Sequence, residues 1–362
     1  MSAPRPRRSI LDIATYVPGR AALDHARPAI KLSANEGALG PSPRAVEAFR
    51  NAAAEIWRYP DGSSTALREA IGKRFGLDPA RIVCGCGSGD VILLLAQAYT
   101  GPDTEVIYSA HGFLMYPIAA RAAGAVPVAA PEVNDTTSVE AILDSVTART
   151  RMVFIANPNN PTGTYLPLTA LRALRERLRD DVLLVIDSAY AEYSRAADYS
   201  PASELVDHAE NTVMTRTFSK FFGLAGLRLG WAYCPPAIAD VLNRIRGPFN
   251  VALPTQAAAI AVLEDEAFAR ASKAHNDRWL PWFETELRAL GLTVVPSNAN
   301  FVLVRFPADP KHNADAANAF LNEQGVIPRK VGAYGLPDCL RITIGTEAEL
   351  RAAVDALTAF MR

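Results

Sequence analysis

From about Pro43 onward the chain alternates short apolar runs with segments of helical period, and this restricts it to layered α/β architectures with a mainly parallel sheet. Arg81 to Cys84 (RIVC), Glu105 to Tyr108 (EVIY), Val126 to Ala129, Met152 to Ala156 (MVFIA), Val182 to Ile186 (VLLVI), Thr212 to Thr215 and Leu229 to Cys234 read as strands. Asp90 to Tyr99, Pro117 to Ala123, Val139 to Val146 and Leu168 to Leu178 read as the helices between them. After about Val251 the texture changes to a long Ala-rich, charge-faced helical region through Leu290. Short strands follow around Leu292 to Val295, Phe301 to Phe306 and Leu340 to Ile344, as in a smaller α+β unit. The first forty residues carry Pro4, Pro6, Pro18 and Pro28, with Pro41 and Pro43 just beyond, too much proline for a core layer. They read as an arm laid over the rest. The expected division is an arm over 1–42, a large three-layer αβα domain over 43–250 and a small α+β domain over 251–362, in keeping with a length of 362 residues.

Composition narrows the function classes. Hydrophobic residues at 49%, charged residues at 21% and a net charge of -1 are ordinary for a globular chain, and no basic stripe recommends nucleic acid. Apolar runs are broken well short of the roughly 20 residues that a spanning helix needs, so no membrane partner is expected. The cationic run Arg5 to Arg8 is not followed by an apolar stretch, so a secretory signal is not expected and a cytoplasmic location is. Of the four cysteines only Cys84 and Cys86 are neighbours. No second pair or nearby histidine completes a tetrahedral ligand set, so buried free thiols and no metal are expected.

In parallel α/β sheets the ligand crevice lies beyond the carboxyl ends of the strands, and several of those ends are chemically unusual. RIVC runs into GCGSGD (Gly85 to Asp90) and an apolar helix, which offers free backbone N–H groups and a helix N-terminus to an anion. Tight packing alone would also use such glycines. MVFIA runs into NPNNPTG (Asn157 to Gly163), readable as a plain loop with Asx turns. VLLVI ends on Asp187, a costly place for a carboxylate without a partner unless it caps the next turn. Lys220, flanked by Phe218, Phe221 and Phe222, is harder to explain structurally. Desolvation lowers the pKa of an ammonium and makes the nucleophilic amine accessible near neutral pH, as Schiff-base chemistry requires.

Taken together, NPNNPTG, Asp187 with Tyr190, Ser219-Lys220 with Arg228 eight residues on, and LRITIG around Arg341 resemble, in order and rough spacing, the fold-type I pyridoxal-phosphate aminotransferases. The resemblance covers nearly the whole chain. It extends to the histidinol-phosphate aminotransferase family through LSANEGALGPSP (Leu32 to Pro43), RYPDGSSTALREAI (Arg58 to Ile71), HGFLMYP (His111 to Pro117), TFSKFFGLAGLRLGW (Thr217 to Trp231) and YGLPDCLRITIG (Tyr334 to Gly345).

That resemblance implies an aspartate-aminotransferase-like fold and pyridoxal 5'-phosphate as cofactor. Lys220 would hold the cofactor through a Schiff base and then serve as the base that moves the substrate proton. Asp187 would pair with the ring nitrogen, Asn160 and Tyr190 with the ring's phenolic oxygen, and Phe113 would stack on the ring face. The cofactor phosphate would rest on the backbone N–H groups of Ser88 and Gly89, on Ser219 and on Arg228. Tyr59 would reach the phosphate of a neighbouring subunit, which implies a homodimer. Arg341 would grip the substrate carboxylate, Arg329 would face a substrate phosphate, Tyr16 would cover the side-chain pocket, and Asn160 would also contact the substrate. The chain departs from the family pattern at Gly89, where Asp is common, at Ser188, where Glu is common, and at NEGALG, where NENPLG is usual.

The activity implied is transamination between histidinol phosphate and 2-oxoglutarate in histidine biosynthesis. An aromatic-amino-acid aminotransferase or a threonine-phosphate decarboxylase would share most of these motifs. A non-catalytic effector domain of a transcription regulator is a third reading, and the sequence shows no basic helix-turn-helix segment to accompany it.

Overall fold

A computed structural model describes residues 4–20, 22 and 29–362; the remainder of the expected arm, 1–3, 21 and 23–28, lies outside the described residues. The larger sheet has seven strands in the order Ile82–Gly85, Gly230–Tyr233, Thr212–Thr217, Leu183–Asp187, Thr150–Ala156, Glu105–Ser109 and Val126–Ala130. All neighbours pair in parallel except Gly230–Tyr233, which runs antiparallel to both of its neighbours. The sheet is therefore mixed and mainly parallel, as expected.

Why the strands read as unbroken apolar runs follows from their burial on both faces. In Thr150–Ala156, Met152 and Phe154 enter one core with Val106, Leu95 and Tyr116, and Val153 and Ile155 enter another with Leu171, Leu174 and Ile186. Helices Ser88–Tyr99, Met115–Ala123 and Pro236–Ile245 cover the first face, and Val139–Asp144 and Leu168–Arg177 the second. At the Ile82–Gly85 end a further core joins Ile82, Met214 and Trp231 to Leu67 and Ile71 of Thr65–Phe75 and to Ala258, Ala259 and Val262 of Leu253–Leu263. Helix Leu253–Leu263 thus packs with the larger sheet, although the change of texture begins at Val251. Its small buried residues let it lie close against Pro43–Ala52.

The second sheet is antiparallel, in the order Thr293–Val295, Phe301–Arg305, Cys339–Thr343 and Arg329–Lys330. Its core takes Trp279, Leu280 and Phe283 from the helix Glu266–Ala289, Leu321 from Ala314–Glu323 and Leu350 from Glu347–Phe360. Asp265 caps the long helix, accepting from the Phe268 N–H at 3.0 Å, and Thr346 with Glu349 closes a capping box on the last one. The arm is tied to this unit. Ile30–Lys31 pairs in parallel with Val326–Ile327, and Leu32 is buried in the same core.

Candidate active site

The carboxyl ends of the larger sheet's parallel strands, the second sheet and the arm enclose a cavity of about 570 Å³. It is lined by Tyr16, Ser88, Gly89, Phe113, Asn160, Asp187, Tyr190, Ser219, Lys220, Arg228, Arg329 and Arg341, every residue given a cofactor, catalytic or substrate role in the sequence analysis except Tyr59. Tyr59 lies outside it, 80% exposed and stacked on Phe249 with ring centroids 4.5 Å apart.

Asp187 closes the strand Leu183–Asp187 and is buried. Its carboxylate does not simply cap a turn: Oδ2 accepts from the Tyr116 hydroxyl and Oδ1 from the Thr215 hydroxyl, both at 3.0 Å. Register explains the second bond, because Thr215 is the residue paired with Asp187 on the neighbouring strand. Burial pushes the Asp187 carboxyl above its usual range, and the bonds from Tyr116, Thr215 and the Ala189 N–H oppose that rise.

Lys220 follows the strand Thr212–Thr217, and its Nζ donates to the Ala34 carbonyl at 2.8 Å. Burial, then the guanidinium of Arg341, pull its ammonium down to about 7. Phe218, Phe221 and Phe222 are themselves buried and belong to the adjoining core, so the phenylalanine run acts as packing that also dries the amine.

At one end of the cavity the helix Ser88–Tyr99 begins at Gly87 without a side-chain cap. Its first N–H groups are left for a ligand. Two glycines make room there. A Cβ on Gly230 would stand 2.1 Å from the Ser88 nitrogen, and one on Gly87, whose φ is +94°, would stand 2.6 Å from Nη2 of Arg228. Arg228 is in the left-handed region at φ +51°, and its Nη1 donates to Ser219 Oγ at 3.2 Å and to the Ala225 carbonyl at 2.9 Å. A Cβ on Gly89 would meet nothing nearer than Met115 at 4.0 Å, so the departure from Asp at that position leaves open space beside the loop.

At the other end, Arg341 in Cys339–Thr343 is buried and sits directly across from Arg329 in the neighbouring strand. Arg341 donates to Asn160 Oδ1 and, at 2.8 Å, to the Ser33 carbonyl, while its Nε is buried without a partner. Arg329 donates to the Val17 carbonyl at 2.8 Å. Among the described residues neither guanidinium has an ion-paired carboxylate, although like charges placed opposite each other repel. Tyr190, pushed up by burial, accepts from Asn35 Nδ2 at 2.9 Å and stands edge-on to Phe301.

Sequence reasoning missed Asn35, Tyr116 and Thr215. Asn35 and Tyr116 sit inside the blocks LSANEGALGPSP and HGFLMYP, and Thr215 sits within the strand Thr212–Thr217. Polar residues in those positions were the available signal. Among the cysteines, Cys84, Cys234 and Cys339 are buried as expected, but Cys86 is exposed, because it lies on the turn before the uncapped helix, where its Sγ donates to the Asn250 carbonyl.

Residues 27–357 match the family model described as aminotransferase class I and II. A histidinol-phosphate aminotransferase of Paramagnetospirillum magneticum is 57% identical over 361 residues, covering 100% of this chain and 99% of that one. One from Rhodospirillum centenum is 60% identical over 357 residues, covering 99% and 98%. The crystal structure of histidinol-phosphate aminotransferase from Sinorhizobium meliloti in complex with pyridoxal-5'-phosphate superposes with a TM-score of 0.90 at 29% identity, covering 100% of this chain and 98% of that one. The aspartate-aminotransferase-like fold is shared, and this chain belongs to the class I and II aminotransferases.

Proposed function

We propose that this protein moves an amino group between histidinol phosphate and 2-oxoglutarate, giving imidazole-acetol phosphate and glutamate in histidine biosynthesis, with pyridoxal 5'-phosphate as cofactor. The observation that carries the reading is the Arg329–Arg341 pair, register partners on neighbouring strands that both line the cavity that also holds Lys220. A phosphate monoester and a dicarboxylate each bring about two negative charges at neutral pH, so both members of that substrate couple match the pair. Phenylalanine and tyrosine bring one.

Three features of the chain fit the cofactor: an amine near neutrality, a buried carboxylate and an uncapped helix start beside an arginine, all on one cavity. Lys220 would hold its aldehyde carbon, Asp187 its ring nitrogen, Asn160 and Tyr190 its phenolic oxygen, and Ser88, Gly89, Ser219 and Arg228 its phosphate. Phe113 would cover a ring face. When bound, the cofactor supplies a ring that accepts the electrons left on a substrate carbon as its proton departs.

The chain's own part is positioning and proton transfer. Lys220 Nζ, at about 7, can take a substrate proton and return it near neutral pH. Asp187, its carboxylate held in place by Tyr116 and Thr215, would pair with the ring nitrogen and favour its protonated form. Arg341 binds the α-carboxylate of glutamate or 2-oxoglutarate, Arg329 faces the phosphate of histidinol phosphate, and Tyr16 of the arm covers the side-chain side of the cavity. In the expected division of the chain, the large domain carries the proton chemistry, and the small domain and arm carry the substrate-side groups.

The reading includes a cytoplasmic homodimer. No described helix is long and apolar enough to cross a membrane. Tyr59 adjoins Trp57 and Ile56, exposed at 70% and 68%, an apolar surface suited to a second copy whose site Tyr59 would reach. The test compares turnover of histidinol phosphate, phenylalanine and tyrosine by the native enzyme and by R329A. The phosphorylated substrate is expected to be preferred and to lose most in R329A; equal rates on all three substrates would overturn the assignment.

A further inference from the structure

Three consecutive residues of the arm each hold one of the chemically central side chains. The Ser33 carbonyl accepts from Arg341, the Ala34 carbonyl accepts from Lys220 at 2.8 Å, and Asn35 donates to the Tyr190 hydroxyl oxygen at 2.9 Å. Of the three, only Asn35 acts through its side chain, and every polar group it has is engaged. Its backbone N–H donates to Thr343 Oγ1 at 3.0 Å, its Oδ1 accepts from the same hydroxyl at 3.2 Å, and its carbonyl accepts from Asn300 Nδ2 at 3.1 Å. It is buried, and its φ of +55° is one that asparagine tolerates better than most residues.

The network fixes which end of the amide faces Tyr190. Thr343 Oγ1 already accepts the Asn35 N–H, so its own hydrogen needs an acceptor, which it finds at Oδ1. The NH₂ end must then point at the phenol. We propose that Asn35 is a positioning residue that sets the direction of the Tyr190 proton: by donating to the phenol oxygen, it leaves the Tyr190 O–H free to donate into the cavity. Burial pushes the phenol up, so Tyr190 stays protonated and available as a donor.

The inference rests on the functional reading above, and its test separates the two. The full-length protein is loaded with pyridoxal phosphate, and the pH midpoint of its visible absorbance is titrated in native protein, N35D, Y190F and the double variant. A carboxylate only accepts, so N35D turns the Tyr190 proton away from the cavity and removes a donor from the ligand's oxyanion. The negative charge left there holds the neighbouring proton more tightly, and the midpoint should rise by about one pH unit, the size of one net hydrogen bond.

The new carboxylate also acts through space, and the double variant isolates that part. In the Y190F background N35D should move the midpoint by less than half as much. T343V, which keeps Asn35 but frees its amide to turn over, should give a smaller rise and guards against a misfolded N35D. A midpoint unmoved in both N35D and T343V, or one moved equally by N35D with and without the Tyr190 hydroxyl, would overturn the role of Asn35 alone. A native protein that gains no visible band would overturn the functional reading and this inference with it.

Discussion

The two cationic ends of the cavity are made of different materials. At the Arg228 end the donors are mostly backbone: an uncapped helix start, packed so closely that Gly230 has no room for a Cβ and turned through Gly87 at a φ of +94°, with Arg228 and Ser219 beside it. All of it grows from neighbouring strands of the larger sheet. At the Arg329 and Arg341 end the donors are side chains on a second sheet, steadied by carbonyls of the arm at Val17 and Ser33. The first end is as rigid as the sheet that bears it, which suits a group retained through every turnover. The second is assembled from three separate parts of the chain, so its anion preference can change without disturbing the first.

Lys220 lies between the ends, and its removal should have the largest effect. K220A is expected to lower glutamate formation by ~10⁴-fold or more, because the group that carries the proton is gone. Appreciable turnover by K220A would break the assignment of chemistry to the space between the two ends. R341A comes next. It is expected to cost about 10²-fold in kcat/KM for every donor that carries an α-carboxylate, glutamate, phenylalanine and tyrosine alike, the scale of a charge-assisted bidentate contact. R329A should be selective by comparison, and steady-state kinetics on singly and doubly anionic donors reads the difference; equal losses would mean that the second end does not discriminate charge.

R228A tests the opposite end. The dissociation constant for pyridoxal phosphate should rise by ~10-fold or more, with KM for the amino donor nearly unchanged once the cofactor is saturating. A rise in substrate KM alone would reverse the roles given to the two ends. The last effect is on stability rather than on turnover. With Lys220 at about 7 in the folded protein against 10.5 ordinarily, the unfolded chain binds more protons between those pH values. Its contribution therefore makes stability rise with pH across that window, and the rise is complete above 10.5. Urea midpoints of the cofactor-free protein should show this slope, and K220M should flatten it.

Much of the rigid end was legible in the sequence, and less of the variable one. Strands such as Met152 to Ala156 announce themselves by their composition, and the strand ends then mark where glycine, Asp187 and Lys220 must sit. Ile30–Lys31 and Val326–Ile327 are only two residues each and carry no period to detect. Helix Leu253–Leu263 reads as part of the Ala-rich region that follows it, and only packing assigns it to the larger sheet. Tyr59 is plain in its sequence block, yet its place outside the cavity is a matter of three-dimensional arrangement.

By itself the sequence determined the layered α/β architecture, the positions at which chemistry is exposed and the presence of an amine that its phenylalanine neighbours would desolvate, since these depend on local composition and period. Tertiary structure alone decided who meets whom. Thr215 reaches Asp187 through strand register, Arg329 faces Arg341 across a sheet, and Asn35 touches Tyr190 across 155 residues of chain. Such pairings follow from how the elements stack, and no local pattern encodes them.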